Sequence, residues 1–169
     1  MLESTYHIQR AQEAEITIIH DLASRIWKKT YEPFISGEQI EYMFDLMYSV
    51  KGLLAQLKES NHQFFVIYRQ EVPIGFASIS MLSNLSCRIH KLYILQELQG
   101  QNAGRIMLTY IEELARQNGV SAMELNVNRY NQNAILFYKK VGFLIKETVD
   151  IPLANFMLND YVMTREVKS

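Results

Sequence analysis

The feature that most constrains this chain is a strand, a glycine-containing turn and a helix in direct succession over residues 92–119, "LYILQELQGQNAGRIMLTYIEELARQNG". The turn holds Gly100 and Gly104, two of only seven glycines in the chain. Small residues let the backbone approach a ligand closely, and the free N–H groups at a helix start attract an anion. The segment therefore predicts either a phosphate-binding turn or a closely packed connection without a ligand.

The composition limits the partners that we expect. The 169 residues predict one domain over residues 1–169, and 49% hydrophobic residues suffice for its core. The 17 Lys and Arg residues nearly balance 18 Asp and Glu residues, which gives no general attraction for nucleic acid or an anionic membrane. Cys87 is the single cysteine, so no internal disulfide forms, and its strand-like surroundings are more typical of a core residue than of a nucleophile.

The amino-terminal sequence "MLESTYHIQRAQEAEI" has neither the basic start nor the apolar run of a signal peptide. No segment is apolar enough to predict a membrane-spanning helix. We therefore expect a soluble, cytoplasmic protein. A homodimer is left open, and no metal site is predicted.

The first third of the chain predicts one strand and three helices. The alternation in "TYHIQRA" predicts the strand. A helix over residues 12–29 is predicted from an apolar stripe formed by Ile16, Ile19, Ala23 and Ile26. Ser36 and Gln39 form a capping box that opens a second helix to about residue 47. Ser49 can cap a third helix that ends at about residue 59.

The remaining sequence predicts six strands and two helices. Aromatic and β-branched residues predict three consecutive strands, which form an antiparallel meander, in "QFFVIYRQ", "PIGFASISM" and "SCRIHKLYIL". A helix over residues 104–117, ended by Gly119, connects to the strand "SAMELNVN", which should run parallel to the strand before the helix. A short helix ended by Gly142 precedes the strands "FLIKETVD" and "FMLNDYVMTREV". The fold class is α/β, with a mixed, mostly antiparallel sheet of about seven strands flanked by helices.

Three segments in matching order resemble the GCN5-related N-acetyltransferase (GNAT) family. "IHKLYILQELQGQNAGRIML" is similar to the family's strand, pyrophosphate loop and helix, and "MELNVNRYNQNAILFYKKVGF" to its next strand and helix. "QEVPIGFASI" is similar to its preceding hairpin, and the resemblance covers roughly residues 63–148. It implies the GNAT fold and an acyltransferase that uses acetyl-coenzyme A (acetyl-CoA).

The resemblance places the cofactor on the turn and on the strand before it. The implied loop residues are Gln99, Gly100, Gln101, Asn102, Ala103, Gly104 and Arg105. The pyrophosphate would bind N–H groups at the positive helix end, while Arg105 is either a phosphate contact or a solvated residue. Asn102 replaces the family's usual glycine; because asparagine tolerates a left-handed backbone, we expect the loop to keep its shape. The cofactor arm would pair as an extra strand with Leu92, Tyr93 and Ile94, which requires the neighbouring strands to diverge.

The resemblance also implies three residues for the chemistry. Asn131 would contact the cofactor arm, although it can equally be a helix N-cap. Tyr138 lies seven residues further on the same helix face and would reach the sulfur, although a core aromatic is the alternative. His90 lies two residues before Leu92 on the same side of the strand and could accept the amine's proton, although a structural histidine is the alternative.

The acceptor site is expected in the region around residues 27–50, which usually walls that site in the family. This region offers Trp27, Tyr31 and Phe34 together with Glu38, Glu41 and Asp45, whose spacing places the three carboxylates on one helix face. An acidic, aromatic wall suits a cationic amine. An ordinary solvated acidic face with core aromatics is the alternative.

The resemblance and the acidic, aromatic region together predict direct transfer of an acetyl group from acetyl-CoA to a primary amine, a small cationic one, in a ternary complex. The chain loosely resembles bacterial polyamine and small-amine acetyltransferases. The alternatives are a protein N-terminal or lysine acetyltransferase, which needs an open groove for a peptide, and a non-catalytic CoA-binding module, which would lack Tyr138. Hydrolase motifs of the Gly-x-Ser-x-Gly and His-Glu-x-x-His types are absent from the sequence.

Overall fold

The computed structural model describes residues 5–83 and 85–169. Residues 1–4, which begin the segment in which no signal peptide is predicted, and residue 84, between the predicted strands "PIGFASISM" and "SCRIHKLYIL", lie outside the described residues. The chain forms two compact units. One contains the described residues as far as Ser80 together with Lys91–Leu108, and the other contains Met81–His90 together with Thr109–Ser169. The single domain over residues 1–169 stays a prediction.

One sheet contains seven strands, in the spatial order β1-β2-β3-β4-β5-β7-β6. The strands are β1 Tyr6–Ala11, β2 Gln63–Arg69, β3 Val72–Met81, β4 Ser86–Ile94, β5 Ala122–Asn128, β6 Leu144–Leu153 and β7 Phe156–Glu166. The pairs β1–β2, β2–β3, β5–β7 and β6–β7 are antiparallel, whereas β4 and β5 are parallel. The predicted α/β fold, the number of strands and the parallel pair are confirmed.

Five α-helices are found in the described part of the chain. They are α1 Ile16–Tyr31, α2 Gly37–Tyr48, α3 Val50–Lys58, α4 Ala103–Gln117 and α5 Gln132–Lys140. Short 3-10 turns at Glu13–Glu15 and Gln96–Leu98 precede α1 and α4. None of these helices has both the length and the apolar character needed to cross a membrane.

The helix caps follow the sequence closely, with one correction. Ser36 Oγ accepts a hydrogen bond from the N–H of Gln39 at 3.1 Å, and Ser49 Oγ accepts one from the N–H of Gly52 at 3.0 Å. The predicted return contact from the Gln39 side chain is wrong. Gln39 is buried on α2, and its amide nitrogen lies 3.6 Å from Met43 Sδ instead, because its side chain turns into the core.

The apolar stripe of α1 is buried as its spacing predicts. Each of its four residues is at most 2% exposed, namely Ile16, Ile19, Ala23 and Ile26. In the other unit, the inward positions of β5 alternate strictly, so that Met123, Leu125 and Val127 are buried. Gly119 and Gly142 end α4 and α5 with φ of +70° and +96°, values that favour glycine.

Candidate active site

The turn before α4 has the backbone that its small residues predict. Gly100 and Asn102 both have left-handed backbones, with φ of +83° and +67°. Asn102 therefore adopts the conformation for which asparagine is the best substitute for glycine. A Cβ added at Gly100 would meet no atom within 4 Å, so the space above the turn is open. Ala103 begins α4 and is only 2% exposed.

Side chains from neighbouring strands hold this turn in place. Gln99 Nε2 donates to the carbonyl oxygen of Ile94 at 3.3 Å. The carbonyl oxygen of Gln101 accepts from the Tyr6 hydroxyl at 3.0 Å, and its side-chain oxygen accepts from Arg69 Nη1 at 3.0 Å. These bonds use carbonyl groups and side chains and do not involve the N–H groups at the start of α4, which are the groups that an anion would bind. Arg105 is exposed in the first turn of α4.

The strand before the turn, β4, continues beyond the residues that pair with β5. The paired register of β4 and β5 covers Ser86–Ile89 and Ala122–Leu125, while β4 continues to Ile94. Leu92, Tyr93 and Ile94 therefore follow the ladder, as the predicted pairing with a cofactor arm requires. On the other side of β4, a Cβ at Gly75 would lie 2.6 Å from the Tyr93 carbonyl oxygen, so only glycine lets β3 approach this segment closely.

Two predicted site residues from distant parts of the sequence meet directly. The hydroxyl groups of Tyr31, at the end of α1, and Tyr93, on β4, lie 2.9 Å apart. The Tyr31 ring also packs edge-on against Phe34, with ring centres 6.4 Å apart. Tyr93 packs against Tyr48 at 6.4 Å, also edge-on. An aromatic residue of the predicted acceptor wall thus touches the predicted cofactor strand.

A buried lysine lies beside these tyrosines. Lys91 is 6% exposed, its Nζ donates to Gln56 Oε1 at 2.6 Å, and the same nitrogen lies 5.3 Å from the centre of the Tyr48 ring. Burial lowers the pKa of Lys91 to about 8. Sequence reasoning missed Lys91, Gln56 and Tyr48. A signal existed, because Lys91 continues the alternation of Cys87 and Ile89 and so falls on the buried side of β4.

Trp27 needs a correction. The sequence predicts that it lines the acceptor site, but it is 1% exposed and packs against Tyr31, Phe44 and Tyr48. Its position one helical turn before Tyr31 places it behind that residue in the core. Trp27 therefore supports the aromatic wall and does not form its surface.

The acidic residues of α2 are exposed, as their polar helix face predicts. Glu38, Glu41 and Asp45 are all exposed on α2. Glu41 forms an ion pair with Lys28 of α1 at 2.9 Å, although both side chains are largely accessible to water. Lys28 thus offsets the negative charge of Glu41, whereas Glu38 and Asp45 form no such ion pair with a residue of α1.

In the other unit, α5 carries the two residues that the family resemblance implies. Asn131 is the N-cap of α5, and its Oδ1 accepts from the N–H of Ala134 at 3.2 Å. Tyr138 is 9% exposed, and its ring packs against Phe137 and Phe143. The N-cap role of Asn131 is therefore real, and the aromatic packing of Tyr138 fixes the direction of its ring. Their contacts with a cofactor stay predictions.

His90 lies half-buried on β4, on the same side of the strand as Arg88 and Leu92. Arg88 bonds to β5 through Glu124 Oε1 at 2.8 Å and Asn126 Oδ1 at 2.6 Å, which holds this part of β4 firmly. Cys87 points to the opposite side and is fully buried; burial raises the pKa of its thiol to about 11. A thiol with this pKa is protonated at neutral pH and is a poor nucleophile.

Comparisons with known proteins agree with this architecture. The family described as "Acetyltransferase (GNAT) family" matches residues 19–143. The chain therefore belongs to the GNAT family and is an acetyl-CoA-dependent N-acetyltransferase. It is 24% identical to the spermidine N(1)-acetyltransferase of Thermoplasma acidophilum over 166 residues, which is 96% of this chain and 98% of that protein.

Two further comparisons concern a second relative and a solved structure. The chain is 30% identical over 97 residues to the aminoalkylphosphonate N-acetyltransferase of Salmonella typhimurium, covering 54% of this chain and 63% of that protein. The crystal structure of the PaiA N-acetyltransferase from Thermoplasma acidophilum in complex with coenzyme A superposes with a TM-score of 0.83 at 24% identity, covering 95% of this chain and 98% of that one. That likeness confirms the GNAT fold.

Proposed function

We propose that this N-acetyltransferase acetylates a primary amine of a small cationic acceptor of the polyamine class, by direct transfer in a ternary complex. The observation that carries the proposal is the contact between the Tyr31 and Tyr93 hydroxyl groups at 2.9 Å. Tyr31 belongs to the predicted acceptor wall, and Tyr93 to the strand segment that would pair with the cofactor. An amine held at this hydroxyl pair would be close to the reacting end of the cofactor.

The residues of the turn and of β4 fit acetyl-CoA. The N–H groups from Gln101 to Arg105 would hold its pyrophosphate at the start of α4, and the left-handed backbone at Gly100 and Asn102 opens that site. The backbone of Leu92 to Ile94 would pair with its amide-containing arm, and Asn131 is proposed as a further contact. When bound, acetyl-CoA supplies an acetyl group as a thioester.

The chain's own groups would accept a proton from the amine, donate one to the sulfur and stabilise the negative charge that develops on the carbonyl oxygen. Alkyl ammonium groups have a pKa near 10, so the acceptor must lose a proton before it attacks; His90, directly or through water, is the proposed proton acceptor. A backbone N–H near Ile94 would stabilise negative charge on the carbonyl oxygen. Tyr138 would donate its hydroxyl proton, or a hydrogen bond, to the sulfur as the C–S bond breaks.

Selection of a cation would come from aromatic faces and carboxylates. Tyr31 and Phe34 are partly exposed and present ring faces suited to an ammonium group. Glu38 and Asp45 add exposed negative charge on α2. The relative that acetylates spermidine supports a polyamine over a neutral amine as the acceptor. A cytoplasmic location and a homodimer stay predictions.

The test is a panel of acceptors incubated with acetyl-CoA, with release of free thiol as the readout. The panel contains spermidine, a simple diamine, a neutral primary amine, an aminoalkylphosphonate and two peptides, one with a free amino terminus and one with an internal lysine. We expect spermidine and the diamine to give the highest kcat/KM. Faster reaction of either peptide would favour the protein acetyltransferase instead. Cofactor binding without thiol release from any acceptor would favour a CoA-binding module.

A further inference from the structure

Lys91 is a buried cation that the mechanism above does not use. Its ammonium group contacts Gln56 Oε1 at 2.6 Å and lies over the Tyr48 ring at 5.3 Å. No carboxylate in residues 5–83 or 85–169 forms an ion pair with it. Among the residues that the structure describes, the partners of its positive charge are thus an amide oxygen and an aromatic face.

Packing gives no reason for a lysine at this position. Removing a charge from water without an opposite charge destabilises a folded protein, and an apolar residue of similar length often restores or improves stability. Methionine would fill the space that the four methylene groups of Lys91 occupy. The lysine therefore points to a role other than stability.

The groups around Lys91 lead directly to the proposed acceptor position. The backbone of Tyr48 also contacts α1, because His20 Nδ1 lies 2.7 Å from the Tyr48 carbonyl oxygen. The Tyr48 ring packs edge-on against Tyr93, whose hydroxyl lies 2.9 Å from that of Tyr31. Lys91 and Tyr93 lie two residues apart on the same side of β4.

Lys91 is charged at pH 7, whereas the described groups that face it are neutral. Burial and the neighbouring tyrosines raise the pKa of Tyr48, so its hydroxyl stays neutral. Burial, and then the charge of Lys91, lower the pKa of His62 to about 4, so that imidazole is neutral at pH 7. Gln56 is uncharged, whereas Lys91, with a pKa of about 8, is mostly protonated at pH 7.

We propose that Lys91 is a positioning residue for acetyl transfer: its ammonium group holds the Tyr48 ring, which fixes the Tyr31–Tyr93 hydroxyl pair, and its charge favours the neutral form of an amine bound there. This inference rests on the proposed function, since it concerns the same acceptor position. A like charge nearby disfavours a second ammonium group, so the bound amine would lose its proton at lower pH than in water. A neutral amine is the form that attacks a thioester.

The pH dependence has a definite sign. Below a pH of about 8 Lys91 is charged and assists deprotonation of the acceptor. Above that pH Lys91 becomes neutral, but more of the amine is then already neutral. The contribution of Lys91 should therefore be largest near neutral pH and should fade as the pH rises through about 8.

The experiment compares pH profiles of kcat/KM for spermidine between the wild-type enzyme, Lys91→Met and Lys91→Arg. We expect Lys91→Met to move the acid limb of the profile to higher pH by about one unit and to lower kcat/KM at pH 7 by about tenfold, while Tm is unchanged or raised. Lys91→Arg keeps the charge and should retain the wild-type acid limb. Lys58→Met, at an exposed lysine of α3, is the matched control and should leave the profile unchanged.

The outcomes separate this inference from the proposed function. A wild-type acid limb in Lys91→Met would overturn it, and so would an equal loss at every pH that Lys91→Arg does not rescue, because that pattern indicates a purely structural role. If Lys91→Met does not fold, Lys91→Gln provides the neutral variant for the same comparison. If the wild-type enzyme acetylates none of the amines, the proposed function itself fails, whereas the cofactor-induced rise in Tm remains measurable.

Discussion

The turn that precedes α4 and the cluster around Lys91 belong to the same compact unit, yet they are built in opposite ways. The turn is one continuous stretch, Gln99 to Arg105, whose shape comes from two left-handed residues, and Tyr6 and Arg69 of the neighbouring strands hold it in place. The cluster collects residues from α1, the end of α2, α3 and β4, namely Tyr31, Tyr48, Gln56, Lys91 and Tyr93. The turn is open to solvent above Gly100, whereas Lys91 is 6% exposed.

This difference separates two kinds of functional information. A ligand that binds backbone N–H groups needs a local conformation, and a short run of small residues can encode it. A charge that acts through buried neighbours needs a tertiary environment, and single residues in the sequence do not report it. We therefore expect variants of the turn to abolish cofactor binding, and variants elsewhere to change the rate or the selectivity.

The largest expected effect is on the turn. Gly104→Glu places bulk and negative charge where the pyrophosphate would bind, so the cofactor should no longer stabilise the protein. For the wild-type protein at a hundredfold excess of acetyl-CoA over Kd, stabilisation is about 2.7 kcal/mol, a rise in Tm of roughly 5–10 °C. Thermal melts with and without acetyl-CoA measure it. Gly37→Glu, which makes the same change at the start of α2 where a Cβ meets no atom within 4 Å, should keep the full rise. A folded Gly104→Glu protein with that rise would refute the loop assignment.

The next effect concerns Tyr138 and the leaving thiol. Tyr138→Phe keeps the ring packed between Phe137 and Phe143 but removes the hydroxyl. We expect kcat to fall by about 10²–10⁴ or less, because a general acid contributes within that range and a thiol with a pKa near 8.5 already leaves fairly well. Steady-state kinetics and the acetyl-CoA-induced shift in Tm measure rate and affinity separately. Tyr130→Phe, at an exposed tyrosine, is the control. Unchanged kcat in Tyr138→Phe would remove this hydroxyl from the mechanism.

A smaller effect is expected on acceptor selectivity. Replacing Glu38, Glu41 and Asp45 together by Ala should erase the preference for a diamine over a neutral amine, while cofactor binding stays intact. Each exposed charge contributes on the order of 0.2–1 kcal/mol, so the three together contribute about 0.6–3 kcal/mol and the ratio of kcat/KM values should change by roughly 3- to 150-fold. The control variant replaces Glu59, Glu71 and Glu166 by Ala, because these three glutamates are exposed outside α2 and the variant loses the same charge. It tests for a general electrostatic effect. An unaltered ranking of amines in the first triple variant would return those carboxylates to an ordinary solvated face.

The smallest expected effect is at Cys87. Direct transfer forms no acyl-cysteine, and burial holds the pKa of this thiol at about 11, so little thiolate exists at pH 7. Cys87→Ala should therefore leave kcat nearly unchanged in a steady-state assay. Mass spectrometry after mixing the enzyme with isotopically labelled acetyl-CoA provides the second measurement. A labelled acetyl group on Cys87 that transfers to added amine would overturn direct transfer.

The elements and the cofactor region were predictable because their signals are local. Ser36 and Ser49 cap helices by accepting from N–H groups three residues ahead, and the stripe of α1 follows from helical spacing alone. The left-handed backbone of Asn102 follows from the short polar side chain of asparagine. Parallel pairing of β4 and β5 follows from the helix that connects them.

The tertiary structure alone decided which polar groups meet. Helical spacing alone does not distinguish Trp27 from Tyr31, which lies one turn later. In the structure Trp27 is buried, whereas Tyr31 is partly exposed. The ion pair of Glu41 with Lys28 and the contact of Tyr31 with Tyr93 join segments 13 and 62 residues apart. Gln56 and Tyr48, from other elements, converge on the buried ammonium group of Lys91. The physical reason is that side-chain contacts and desolvation depend on neighbours brought together by packing, whereas backbone conformation depends mainly on the residues themselves.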